Sequence, residues 1–111
     1  MPGNVCLIMT TLDDEQKARH LARSLVEQHL AACVQMLPGM RSCYRWQGKV
    51  EEAGEFLIQI KTAPARAEEV MQWLAHHHPY ALAEIVRLDA SASDAYAAWV
   101  AGAVSDPDPR T

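Results

Sequence analysis

An α+β domain of the ferredoxin-like βαββαβ class, extended by a C-terminal helix and carrying a long central β-hairpin, is predicted by three features of the 111-residue chain. Apolar runs of strand type and segments of helical period follow one another in that order, and a Gln47-Gly48 pair splits the longest extended stretch into two arms. The composition, 50% hydrophobic and 22% charged, suits one packed core and lies far from that of disordered chains. The length supports a single domain, placed at residues 1–104, with residues 105–111 (SDPDPRT) expected as a disordered tail.

Residues 5–11 (VCLIMTT) form an apolar, β-branched run suited to a strand buried on both faces. From Asp13 the period changes: Ala18, Leu21, Ala22, Leu25 and Val26 share one helical face, and Asp13 with Gln16 resembles a capping box. Cys33 and Cys43 fall on the next extended runs, 33–37 and 40–46, which are punctuated by Pro38-Gly39; both are expected to be buried as small hydrophobes. The chain returns over 49–61, where Phe56, Ile58 and Ile60 alternate with Leu57, Gln59 and Lys61, and Gly54 marks an expected bulge. A second helix carries Ala67, Val70, Met71 and Leu74 and stops before Pro79. Residues 84–88 read as the last strand. Ser91 or Ser93 then caps a helix with Tyr96, Trp99 and Val100 in phase.

Several classes of function are excluded by composition. Ten Lys and Arg against 14 Asp and Glu give a net charge of −4, and no basic run exists to follow a phosphate backbone, so no nucleic-acid partner is expected. No apolar stretch reaches the about 18 residues of a membrane span, and the first residues lack a basic n-region, which predicts no membrane association and a cytoplasmic location. Three widely spaced cysteines, Cys6, Cys33 and Cys43, make no disulfide framework and no C-x-x-C pair.

Two helices cannot cover strands that run from Met40 to Lys61, so Trp46 and Val50 are expected to project beyond them. Exposed edges and a protruding tryptophan call for a partner, and a homo-oligomer built by strand addition is the economical one. Trp46 is expected to be the one bulky aromatic left uncovered.

The segments Leu30-Ala31-Ala32-Cys33, Tyr44-Arg45-Trp46-Gln47-Gly48-Lys49, Ile60-Lys61-Thr62, His77-His78-Pro79-Tyr80 and Tyr96-Ala97-Ala98-Trp99, in this order and spacing, resemble the CutA family, named for divalent-cation tolerance. The likeness covers roughly Val5 to Val100, and Ala81 and Ala83 stand where many members carry Glu and Pro. The resemblance implies a stable homotrimer of ferredoxin-like subunits, similar in architecture to PII signalling proteins and linked to copper and other divalent metals without a settled biochemical activity; a non-catalytic role is expected. In some members a first-strand cysteine and the paired histidines are proposed copper ligands; these positions correspond to Thr10, His77 and His78.

His76, His77 and His78 are the densest set of ligands, but consecutive helical side chains diverge by about 100°, so at most two can chelate one ion. Without a thiolate at Thr10, the imidazole pair would bind Cu(II) or another divalent metal weakly. The plain alternative is a solvated helix end, where imidazolium suits the dipole. A second functional class is a PII-like signalling or scaffold trimer that takes a small anionic ligand or a protein partner in an inter-subunit cleft, with Trp46, Lys61, Tyr80 and Glu84 as candidate lining residues. An enzyme has the weakest support. A copper chaperone would need a C-x-x-C after the first strand and an acylphosphatase a phosphate cradle there, whereas the chain has Thr10-Thr11-Leu12-Asp13-Asp14.

Overall fold

The computed structural model describes residues 3–105. The element order is β1 (Gly3–Leu12), α1 (Glu15–Glu27), β2 (Cys33–Trp46), β3 (Lys49–Thr62), α2 (Pro64–His77), β4 (Val86–Ala92) and α3 (Asp94–Ala103). The four strands form one antiparallel sheet in the order β2-β3-β1-β4. The expected ferredoxin-like α+β fold is present.

Strand parity explains the layers. Cys6, Ile8, Thr10 and Leu12 of β1 pair with Thr62, Ile60, Ile58 and Phe56 of β3 and face α1 and α2, where Ile8, Leu12, Leu25, Ile58, Ile60, Val70 and Leu74 are wholly buried. The alternate residues, including Leu7 and Lys61, point the other way. The third helix lies on that second face: the Lys61 ammonium sits 5.7 Å from the Tyr96 ring centre, and a Cβ on Gly3 would collide with the Cβ of Ala97.

Local chemistry sets the boundaries. The cap of α1 is Asp14 rather than the expected Asp13, because its carboxylate accepts from the Lys17 amide at 2.9 Å. α1 ends on His29, whose φ of 59° does the work usually given to glycine, and its Nδ1 lies 3.3 Å from the Ala103 carbonyl. Pro64 opens α2 without a side-chain cap, and Ser93, not Ser91, caps α3. The last strand begins at Val86 instead of residue 84, since its ladder to β1 starts at the pair Met9 and Val86. Of the expected tail only Ser105 is described, its hydroxyl donating to the Ala101 carbonyl at 2.9 Å; the remainder lies outside the described residues.

The hairpin is one continuous pair of 14-residue strands. Gln47 and Gly48 both take positive φ, 50° and 79°, which gives the two-residue turn whose twist matches the strands. The bulge falls at Pro38-Gly39, between the pairs Leu37 with Leu57 and Met40 with Glu55, while Gly54 pairs regularly with Arg41. Glycine at φ 79° and a proline with no N–H to donate explain that placement on an edge strand. Beyond it the hairpin overhangs the helices and stretches the molecule to 51 Å, with Val50 65% and Trp46 44% exposed. Trp46 is not the one uncovered aromatic: Tyr44 beside it on the overhang is 45% exposed, and Trp99, 52% exposed, is a third that the helical phase did not reveal.

Ile60 lies on the central strand under both helices and is fully buried. Ile60→Ala is expected to lower the unfolding free energy by about 2–5 kcal/mol in a urea titration; a loss below about 0.5 kcal/mol, the scale of surface substitutions, would contradict this account of the core.

Candidate functional site

The histidine segment sits where α2 meets Pro79. Proline pushes the preceding residue out of helical space, and His78 is extended at φ −69° and ψ 135°. The three imidazoles therefore part company. His76 and His77 remain on the last turn, each with Nδ1 bonded to a carbonyl four residues back, Gln72 at 2.9 Å and Trp73 at 2.8 Å. A carbonyl only accepts, so Nδ1 carries the proton and Nε2 is left as an exposed lone pair. The His77 ring also stacks on Trp73, with centres 4.2 Å apart and planes 14° from parallel, which holds its orientation.

His78 turns inward and is 8% exposed. Its Nδ1 accepts the Tyr80 amide at 3.1 Å, so Nε2 carries the proton and donates to the Thr11 carbonyl at 2.8 Å. Both ring nitrogens are in use, and the ring meets Tyr80 edge-on at 4.8 Å. Thr10 is fully buried on the helix-covered face, with a hydroxyl that finds no partner. The positions Thr10, His77 and His78 thus offer one open imidazole, one committed imidazole and one neutral hydroxyl, which do not fit a dedicated copper centre. Among the described residues no group of three or more His, Cys, Asp or Glu could hold a metal ion.

A second feature is a groove of about 880 Å³ between the overhanging hairpin and the loop after α2. Within the single chain Trp46, Tyr80 and Glu84 line it, together with Tyr44, Arg45, Asp13 and Glu55. Lys61 does not: it pairs with Cys33 at the far end of β3 and lies over Tyr96. Three carboxylates against one guanidinium make the groove a poor receptor for a small anion. Cys43 is also on its wall and is exposed, and Cys33 is half-buried, so neither is the buried hydrophobe expected. Cys6 is the buried thiol; burial first, then the hydrogen bond to Asp89 at 3.1 Å, raises it above the ordinary thiol range, which makes it unreactive.

A long-range bond ties the loop after α2 to the hairpin wall of the groove, Tyr80 Oη donating to Glu55 Oε2 at 2.9 Å. Desolvation, and then that bond, push the Tyr80 hydroxyl far above its ordinary value. The proton is retained more tightly in the folded chain than in the unfolded one, so this stabilisation is complete below pH about 10 and declines as pH rises further. Tyr80→Phe is expected to be less stable than the parent at pH 8, with the gap narrowing at pH 11 in denaturant titrations. A gap that widens with pH would contradict the assignment. Trp73 is a site residue that candidate ligand types alone do not reveal; its i, i+4 spacing from His77 was the available signal.

Known proteins share this fold. The family model described as CutA1 divalent ion tolerance protein matches residues 6–103. Protein CutA of Mus musculus is 37% identical over 101 residues, covering 90% of this chain and 57% of the mouse protein, so the chain spans little more than half the length of that relative. The divalent-cation tolerance protein CutA of Thermus thermophilus is 39% identical over 95 residues, covering 85% of this chain and 92% of its own. The structure of CutA from Synechococcus elongatus superposes with a TM-score of 0.89 at 37% identity and covers 95% of each chain. With a family match over nearly all of the described fold and relatives of this identity along the same span, the chain belongs to the CutA1 divalent ion tolerance family.

Proposed function

We propose that the protein is a homotrimeric divalent-cation tolerance protein of the cytoplasm that binds Cu(II) or another divalent metal weakly and does not catalyse a reaction. The family match over residues 6–103 carries the reading. The overhanging hairpin supports the trimer, because Trp46, Val50, Leu37 and Met36 leave an apolar surface that a second and third copy would cover. His77, with its open Nε2, supports a weak metal contact. No described helix is long and apolar enough to cross a membrane. The absence of catalysis is supported by Tyr80, whose burial and bond to Glu55 hold its proton, the reverse of an activated nucleophile.

The aromatic groove favours a second reading, a PII-like signalling or scaffold trimer with a small ligand or protein partner at the inter-subunit cleft. Its charge directs that reading toward a neutral or cationic ligand.

Trp46→Ala separates the two. If Trp46 is buried by neighbouring copies, its loss costs about 3–5 kcal/mol at each interface, so the melting temperature falls and the assembly dissociates across a dilution series followed by light scattering. An unchanged melting point and mass at the lowest concentration would assign Trp46 to ligand or partner binding. For the metal, calorimetric titration with Cu(II) is expected to weaken in the His77→Ala, His78→Ala double variant and to persist in Cys33→Ala. Loss in Cys33→Ala alone would overturn the imidazole reading.

A further inference from the structure

A second groove, about 590 Å³, runs between α1 and α2 on the face of the molecule away from α3 and contains both His20 and His77. The helices are antiparallel: β1 and β2 run one way and β3 and β4 the other, so α1 descends from the end of the sheet to which α2 climbs. Helical side chains tilt toward their own N-terminus. His20, one turn into α1, therefore leans toward the end where α2 finishes, and His77, at the end of α2, leans back toward it. The Nδ1 bond to Trp73 and the stacked ring show His77 held in this backward posture with Nε2 open. Gln16 lies four residues before His20, on the same face of α1 and in the same groove.

We propose that His20 and His77 form a two-imidazole site for a borderline divalent cation, Cu(II), Zn(II) or Ni(II), across the α1–α2 groove. The proposal rests on the weak metal binding put forward above and names its ligands: His20 takes the place that His78, with both nitrogens committed, cannot fill. Gln16 supplies an amide oxygen as a third donor, and water completes the shell. No carboxylate lines the groove, so Mg(II) and Ca(II), which need hard oxygen ligands, are refused. Lys17 on the same wall opposes any cation and keeps affinity low. Both imidazoles are exposed and on the helix layer, away from the overhanging hairpin.

The test is calorimetric titration of the full chain with Zn(II) and Cu(II), paired with electron paramagnetic resonance of the Cu(II) form. His20→Ala and His77→Ala are each expected to raise the dissociation constant by at least the about 10- to 100-fold that loss of a supporting partner costs. The Cu(II) spectrum should lose one of two imidazole nitrogens. The double variant is expected to lose both imidazole nitrogens and to bind more weakly than either single one, and His76→Ala to bind as the parent does. Since all three positions are exposed, circular dichroism should be unchanged. Parent-like binding in His20→Ala with loss in His77→Ala would overturn the pair and leave weak metal binding standing with other ligands. No titratable metal in the parent would overturn both.

Discussion

The mismatch between strand length and helix length governs this fold. A helix of 13 residues reaches about 20 Å, whereas a strand of 14 residues reaches about 46 Å, and β4 has only seven residues to lie alongside. The helix-covered half of β3 is therefore dry on its inner face, with Ile58, Ile60 and Thr62 wholly buried, and its other half is wet from Gly54 to the turn apart from a half-covered Ala53. The 51 Å extent, the groove beneath the hairpin and the uncovered tryptophan follow from that one inequality. So do two edges, β2 and β4, that carry Met36, Leu37, Val86 and Leu88 in exposed positions. Apolar edges of this kind are stable in water only when something pairs with them.

The bulge makes the overhang usable. By inserting Pro38-Gly39 opposite a single partner residue, it re-aims the outer strand, and from there Ser42, Tyr44 and Trp46 of β2 share a side with Ala53 and Glu55 of β3. Tyr80 meets Glu55 on that side, tying the loop after α2 to the hairpin. The histidine turn is set by the same junction. Pro79 breaks the helix, His78 is drawn inward to the Thr11 carbonyl at the end of β1, and His76 and His77 are left facing water. One proline thus divides three consecutive imidazoles between structure and surface.

Element order, hairpin and overhang were legible in the sequence because each rests on periodicity or on a turn pair with local chemistry. What was not legible depended on contacts between distant residues. Asp13 and Asp14 are equivalent as cap candidates until the helix geometry selects the one that reaches Lys17. Gly54 and Gly39 are equally good bulge residues until the register to β3 is known. The role of His78 is fixed by a bond across 67 residues, and no spacing rule announces it. Lys61 fits a cleft by residue type but sits at the wrong end of its strand, a fact that only pairing with Cys33 discloses. Trp99 shares a helical face with Tyr96, yet that face is only partly covered, since phase reports which residues lie together and not what lies over them.

The central claim is that the free edges and outer hairpin are covered by copies of the same chain. Hydrogen–deuterium exchange of the native protein addresses it residue by residue, because alternate amides of an edge strand point away from the sheet and have no partner within the subunit. The account predicts that the outward amides of β2 and β4 and those near Trp46 exchange as slowly as the core amides of β1, in a particle of about 37 kDa, three times the 12.3 kDa chain. Rapid exchange of those outward amides, with protection confined to β1, β3 and the helices, would contradict it.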